Sequence, residues 1–250
     1  MKSGFSKTLL LLIASLTISL TGLTFSVEAS SATIIDSLPY IINEPGTYVL
    51  SEDLSVSGNA IIVNTSNVVI DGNGHTIQGD GTGYGITIDG SNYNVIGNVT
   101  IKNIKITSFG RGIHVYYIYT DKDMFSGIII ENVEIESVVI AISISDIEYG
   151  FIIRNAVLKN LDDAGIYMKY AYGGILENIV STGGMYGIYI EDSGGTYIRE
   201  SGITGASLVG VYIDDAESIA IVNSIIKDIN GNGVNITRYS DALILGSHIE

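Results

Sequence analysis

From residue 33 onward, short runs of Ile and Val alternate with polar residues and are separated by Gly, Asn, Ser and Asp. One pattern, a Gly followed by an apolar, a variable and an apolar residue, recurs at intervals of 22 to 29 residues. Such alternation is typical of strands with one buried face, so each copy predicts a short β-strand. The copies begin at Gly85, Gly112, Ala141 (where Ala replaces Gly), Gly165, Gly187, Gly210 and Gly233.

A second pattern runs in step with the first, and consists of two apolar residues, a variable residue and usually Asn. Asn tolerates the left-handed backbone conformation of a tight turn, and its amide can bond to the equivalent Asn of the next repeat. We therefore interpret this Asn as structural. It stands at Asn103, Asn132, Asn155, Asn178 and Asn223, and is replaced at Glu200 and Gly246.

Two patterns locked to one period indicate stacked repeats of one supersecondary unit. Leucine-rich repeats have a similar period, but they need a Leu-dominated pattern and this chain uses Ile and Val. The prediction is an all-β, right-handed parallel β-helix (a solenoid) of about seven to eight coils with an N-terminal cap, in which coils stack ~4.8 Å apart.

The first 29 residues have the layout of a secretory signal peptide. Lys2 and Lys7 precede an apolar run from Leu9 to Leu20, and small residues at Val27 and Ala29 suit the cleavage site. We therefore expect export to the cell surface or the medium. No later apolar run is long enough to predict a membrane span in the mature chain.

The rest of the chain divides into a cap and a repeat region. Residues 30–60 are predicted to form the cap and first strands, with Tyr40 to Leu54 covering the first coil, and residues 61–250 the repeats. Tyr116 to Lys122 adds extra residues to one repeat and predicts a loop. Because the sequence stops within a repeat, we expect truncation at the C-terminus, with further chain or a protein partner covering the last coil.

Charge narrows the range of partners. The chain has 27 acidic and 12 basic residues, a net charge of −15, and no Cys. Such a surface repels nucleic acid and anionic membranes and favours cations or neutral ligands. Without Cys, neither disulfides nor thiolate metal sites are possible.

The residues Asn67-Val-Val-Ile-Asp-Gly-Asn-Gly-His-Thr-Ile-Gln-Gly79, together with Glu44-Pro-Gly-Thr-Tyr-Val-Leu50, resemble the first coils of the pectin-lyase-like β-helix superfamily. The closest resemblance is to its NosD-like exported proteins. The resemblance implies a right-handed β-helix and, by the names in this group, copper delivery or polysaccharide processing. The Gly-His-Gly motif of the hydrolases and the longer motifs of the pectate lyases are missing, and His75, His114 and His248 lie far apart in the repeat.

Numbering each repeat from its Gly as position zero places positions two and four on the outer face. Position two carries Tyr in three successive coils, Tyr167, Tyr189 and Tyr212. We expect these rings to lie in register ~4.8 Å apart. Their position-two neighbours are Thr87, His114, Ser143 and Asn235.

Positions four and five bring four carboxylates together in two adjacent coils. They are Glu191, Asp192, Asp214 and Asp215, flanked by Lys169 and Arg238. One pair of like charges at ~4.8 Å costs on the order of 3 kcal/mol at an effective dielectric of 20. Bound calcium would relieve this repulsion, and so would a raised carboxyl pKa, which suits a general acid.

Three functions remain open. The first is a non-enzymatic module that binds carbohydrate or another surface polymer, with Tyr167, Tyr189, Tyr212, Lys169 and Arg238 as ligand-binding residues and calcium as a candidate cofactor on the four carboxylates. The second is a polysaccharide lyase or glycoside hydrolase that uses those carboxylates in catalysis. The third is a NosD-like accessory protein in the maturation of a metal enzyme. In a purely structural alternative, the Tyr residues only stabilise the sheet and the acidic residues form a solvated face.

Overall fold

The computed structural model describes residues 32–91, 96–118, 126–148 and 150–250, and all regular elements within these ranges are β-strands. The predicted signal peptide lies outside them, as do residues 119–122 of the predicted loop. Tyr116 and Tyr117, which we assigned to that loop, belong instead to a strand. The strands are β1 (Thr33–Ile35), β2 (Tyr40–Ile42), β3 (Gly46–Leu50), β4 (Leu54–Ser55), β5 (Ile61–Val63), β6 (Val68–Asp71), β7 (Thr76–Gln78), β8 (Tyr84–Asp89), β9 (Val99–Thr107), β10 (Arg111–Ile118), β11 (Ile128–Ile147), β12 (Phe151–Ala171), β13 (Gly174–Gly183), β14 (Tyr186–Glu191), β15 (Tyr197–Arg199), β16 (Gly202–Thr204), β17 (Val209–Asp214), β18 (Ile219–Val222), β19 (Ile225–Lys227), β20 (Asn232–Thr237), β21 (Ala242–Leu245) and β22 (His248–Ile249).

All strand pairings are parallel, and they sort the strands into three ladders, which we name sheets A, B and C. Sheet A, which carries the repeat Gly, contains β2, β5, β8, β10, the last parts of β11 and β12, β14, β17 and β20. Sheet B contains β1, β3, β6, the first parts of β9, β11, β12 and β13, then β15, β18 and β21. Sheet C contains β4, β7, the later parts of β9, β11, β12 and β13, then β16, β19 and β22.

The predicted parallel β-helix is therefore confirmed, with nine turns instead of seven to eight. The difference lies at the N-terminal end. The segment Tyr40 to Leu54, expected to cover the first coil, is itself a coil, because β2, β3 and β4 pair with the corresponding strands of the next turn. These first two turns lack the repeat Gly and so escape a search for it.

Single residues in the left-handed conformation form the corners between sheets. The 20-residue strand β11 passes through all three sheets because Asn132 (φ 53°) and Ser137 (φ 56°) each turn the chain in one step. Asn suits this conformation. The predicted Asn ladder is also confirmed, since the Asn155 amide donates to Asn132 at 2.9 Å and accepts from Asn178 at 2.9 Å.

The interior is filled by β-branched side chains, such as Ile166, Ile188 and Val211 on successive strands of sheet A, all without solvent exposure. The repeat Gly has a packing role here, and its φ is not left-handed. A Cβ at Gly112 would lie 2.6 Å from the backbone oxygen of Ala141 in the next coil, and 2.5 Å from Ile135 in sheet C. The absence of a side chain at the repeat Gly thus lets sheet A pack closely against the Ile side chain of sheet C and against the next coil.

Candidate functional site

The predicted Tyr column on the outer face of sheet A is in register. Tyr167 pairs with Tyr189, and Tyr189 with Tyr212, on adjacent strands β12, β14 and β17. The rings are half-buried and meet edge to face, with centroids 5.4 and 4.9 Å apart. Tyr186, which the position numbering overlooked, packs against Tyr189 at 4.9 Å.

This packing changes the expected role of the column. Edge-to-face rings stabilise one another and do not offer a row of parallel faces to a ligand. Burial and the nearby Glu191 charge raise the pKa of Tyr189 to about 12, so the Tyr189 ring stays uncharged at neutral pH. This packing favours a structural role in the sheet, as for cross-strand pairs, and ligand binding by the three Tyr side chains stays a prediction.

Both carboxylate oxygens of Glu191 accept hydrogen bonds within the protein. Its carboxylate accepts from the Tyr167 hydroxyl at 2.8 Å and from the Lys169 ammonium at 2.9 Å. Burial acts to raise the pKa of Glu191, but the bonds from Lys169 and Tyr167 together outweigh it and hold the pKa below its usual value. The expected raised pKa of a general acid is therefore wrong for Glu191.

Asp214 is also paired, and it is buried. Its side chain is 2% exposed, accepts a hydrogen bond from Thr237 at 2.8 Å and lies 2.7 Å from the Arg238 guanidinium. Arg238, proposed as a ligand-binding residue, is thus the counterion of Asp214. Glu191 and Asp214 are thus each paired with a cation of the protein.

The four carboxylates do not form a single metal site. Over the described ranges, no three His, Cys, Asp or Glu side chains are grouped so that they could hold a metal ion. Position four lies on the sheet, whereas Asp192 and Asp215 at position five lie on the left-handed corner that follows sheet A (φ 47° and 51°). This geometry does not favour a calcium site on all four residues, and that site stays a prediction.

The corner after sheet A forms a line of side chains along the β-helix, which we name the corner column. All six members have φ between 47° and 55°, a region that side chains other than Asn, Asp and Gly rarely adopt. Asn predominates at the corner that follows sheet B, where the Asn ladder lies, but at the corner that follows sheet A two Tyr and one Arg adopt this conformation. The column consists of Tyr117, Asp146, Tyr170, Asp192, Asp215 and Arg238.

A groove of about 550 Å³ opens beside the corner column. Tyr170 and Tyr172, each nearly half exposed, form one end, and Asp215 and Glu217 lie two coils further on. Gly194 lies between Tyr172 and Glu217 in one ladder, so the middle coil has no side chain there and leaves the groove open. Extending the position numbering to position seven would have shown that Tyr172, Gly194 and Glu217 lie in one ladder.

A second cluster lies nearer the N-terminal end of sheet A. The His114 ring stacks between Tyr84 and Tyr116, with centroids 5.0 and 4.7 Å away. Its Nδ1 is buried without a hydrogen-bond partner in the described structure. Burial, followed by the positive charge of Arg111, lowers the pKa of His114 to about 4, although Asp89 acts in the opposite direction.

This shift predicts a pH-dependent stability. The folded protein keeps His114 neutral down to about pH 4, whereas the unfolded chain protonates it with a pKa of 6.5. With respect to His114, the fold is therefore most stable above pH 6.5, and stability is lost as the pH falls from 6.5 towards 4, because only the unfolded chain then binds the proton. Allowing for partial exposure of the ring, the wild type should lose about 2 kcal/mol more than His114→Gln between these pH values. Denaturant unfolding at pH 6.5 and 4.0 measures the difference. Parallel pH profiles for the two proteins would contradict it.

Comparison with known proteins identifies the family. The model of the family described as the right-handed β-helix region matches residues 117–250, more than half of the chain, and the chain belongs to this family. No curated protein matches the sequence. The predicted closeness to NosD-like proteins stays a prediction.

Solved structures share the fold at low sequence identity. Tailspike protein 2 from Escherichia coli O157:H7 bacteriophage CAB120 superposes with a TM-score of 0.64 at 15% identity, covering 87% of this chain and 34% of the tailspike. The periplasmic alginate epimerase AlgG gives a TM-score of 0.55 at 14% identity, covering 82% of this chain and 51% of the epimerase. The chain thus spans about a third to a half of these proteins, and the likeness shows the fold. Within the described ranges, no helix suited to crossing a membrane is found.

Proposed function

We propose that the protein is an exported or cell-surface module that binds a linear polysaccharide, or a chemically similar surface polymer, along the corner column and its groove. The observation that carries the proposal is the groove itself, where exposed Tyr170 and Tyr172 adjoin the carboxylates of Asp192, Asp215 and Glu217.

The groove combines the two kinds of group that sugars need. Aromatic faces pack against the apolar faces of sugar rings, and carboxylates accept hydrogen bonds from hydroxyls. Tyr172 is held in place by its hydroxyl, which donates to the backbone oxygen of Asp192 at 3.2 Å. Lys169 lies 5.2 Å from the centre of the Tyr170 ring. Both rings are thus oriented by contacts that leave part of their surface exposed.

The direction of the column favours an extended ligand. Successive members lie on successive coils, ~4.8 Å apart, in a line parallel to the β-helix axis. A polymer lying along this line would meet Tyr117 and Asp146 before it reached Tyr170 and the groove. The alginate epimerase that shares the fold acts, by its name, on a polysaccharide, which supports a polymer ligand.

The other hypotheses receive less support from the geometry. A hydrolase or lyase centred on Glu191 and Asp214 needs groups that are free to exchange protons, and both side chains are paired within the protein. Copper delivery and the four-carboxylate calcium site both need a ligand cluster, which the described part of the chain does not contain.

The test is Tyr170→Asn, which removes the ring and places a residue suited to the left-handed conformation. Affinity for a bound polysaccharide should fall at least about ten-fold, as for a central aromatic contact. The free energy of unfolding should stay the same or rise by about 1 kcal/mol, because Asn adopts this conformation more readily. Calorimetric titration with neutral, amino-sugar and acidic polysaccharides, together with denaturant unfolding, measures both.

Tyr197→Asn is the matched control, since Tyr197 is 56% exposed on sheet B and is not among the residues that line the groove. It should bind like the wild type. Because the groove is acidic, neutral and amino-sugar polymers should bind more tightly than acidic ones. Equal affinities for Tyr170→Asn and the wild type, or no heat with any polymer, would refute the proposal.

A further inference from the structure

Arg111 stands apart from the other cations of the described structure. Each of the eight other Lys and Arg side chains there has a carboxylate oxygen at 3.7 Å or closer. In these same ranges Arg111 has no such partner, although acidic residues outnumber basic ones 27 to 12 in the chain. Its Nη1 donates to the Tyr84 hydroxyl at 3.4 Å, and its buried Nε has no hydrogen-bond partner.

This unpaired cation lines its own groove. A cavity of about 350 Å³ is formed by Gly83, Tyr84, Gly110, Arg111, Val139 and Ile140, at the corner that precedes sheet A. The guanidinium carbon lies 5.8 Å from the centre of the Tyr84 ring. Val139 is 40% exposed and forms an apolar wall. The groove therefore offers one planar cation beside an aromatic and an aliphatic surface.

The described acids on this corner do not neutralise Arg111. Asp80, one coil before Arg111, accepts hydrogen bonds from Ser57 and Thr82. Asp163 lies on the same side of sheet A, two coils further along, which corresponds to a separation of ~10 Å between their coils. Burial raises the pKa of Asp163, while the charge of Arg111 opposes that rise from a distance. A guanidinium that is partly buried and lacks a fork-shaped acceptor retains an unmet hydrogen-bonding capacity.

We propose that Arg111 anchors a second binding site, which takes an oxyanion (a carboxylate, sulfate or phosphate) carried on a group with an apolar face. The guanidinium fork matches such oxyanions in a bidentate manner. Tyr84 and Val139 would contact the apolar face. This site does not depend on the proposed polymer groove, because Arg111 and Tyr117 lie at opposite ends of β10, ~20 Å apart along the strand.

The neighbouring His114 provides a built-in reporter. Arg111 helps to lower the pKa of His114, so an anion that offsets the Arg111 charge should raise that pKa. Simple packing of a neutral ring into the groove would leave the Arg111 charge in place and would not produce this rise.

The experiment uses small aryl probes that differ in their charged group. Benzoate, phenyl phosphate and phenyl sulfate each carry one oxyanion on a flat ring, and benzamide is the neutral control. At low salt, nuclear magnetic resonance titration should give dissociation constants on the order of 10 mM or tighter for at least one anion, with benzamide at least ten-fold weaker. The pKa of His114 should rise in the presence of that anion.

Three variants complete the design. Arg111→Gln should weaken binding of the anion about ten-fold or more, whereas Arg111→Lys should have an intermediate effect because it keeps the charge but loses the fork. Arg199→Gln, which removes an exposed cation paired with Glu177 on sheet B, should bind like the wild type. Far-ultraviolet circular dichroism confirms that each variant is folded.

The proposal is overturned if benzamide binds as tightly as the anions, if Arg111→Gln and Arg111→Lys both bind like the wild type, or if no anion binds at the highest concentration tested. Tyr170→Asn should leave anion binding unchanged. Failure of this site is thereby distinguishable from failure of the polymer groove.

Discussion

Replacing Gly210 with Ala should lower the free energy of unfolding by about 3 kcal/mol, at the upper end for overpacking a core. An added Cβ would lie 2.5 Å from the backbone oxygen of Gly233 and 2.5 Å from Cγ2 of Ile226. Neither atom can retreat easily, because one belongs to the backbone of the next coil and the other to a fully buried side chain.

Gly202 is the matched control. A Cβ there would meet no atom within 4 Å, and its backbone is not left-handed. Gly202→Ala should therefore leave stability unchanged or raise it by about 0.5 kcal/mol, since Ala restricts the unfolded chain. Denaturant unfolding of both variants and the wild type gives the comparison. Equal stability of Gly210→Ala and Gly202→Ala would show that the repeat Gly is not required for packing.

The fold was predictable because the sequence patterns that specify it recur with a fixed period. The repeat Gly and the Asn corner both recur once per coil, so aligning them fixed the register of sheet A residue by residue, including the pairing of Tyr189 with Tyr212. The coil count was less accessible. The first two turns are held by the same ladders but carry Pro39 and Ala60 at the position of the repeat Gly, so a search for Gly does not find them.

The candidate site was only half predictable. Position numbering placed Glu191 and Asp215 in the correct columns, since a column follows from backbone register alone. It could not show which way a side chain bends. Glu191 reaches back across one coil to Tyr167, and the left-handed corner directs Asp215 towards the groove, which separates two acids that the sequence places side by side.

The sequence alone could not show that Arg111 lacks a counterion. Arg111 is unremarkable as one of 12 basic residues, and it becomes informative only when the other described cations are seen to be paired. The groove is a different case, because Gly194 lies between Tyr172 and Glu217 at position seven of three successive repeats. The position numbering would have shown that gap if it had been extended by two residues.

Arg238→Gln should lower the free energy of unfolding by about 2–3 kcal/mol, because it leaves the Asp214 carboxylate buried without its counterion. Asp214 is 2% exposed, and without Arg238 it keeps only the Thr237 hydroxyl as an observed side-chain donor. The expected loss lies below that for a fully buried pair because Arg238 is itself 60% exposed.

Removing the acid should cost less than removing the cation. Asp214→Asn keeps the hydrogen bond to Thr237 within reach and leaves no buried charge, so we expect a loss of about 1 kcal/mol. Introduced together with Arg238→Gln, it should restore most of the stability lost in the single Arg238 variant, because the uncompensated charge is gone. Denaturant unfolding of the four proteins at pH 7 closes this double-mutant cycle. If Arg238→Gln is as stable as the wild type, the ion pair with Asp214 does not stabilise the fold. That result would favour the predicted role of Arg238 as a ligand-binding residue.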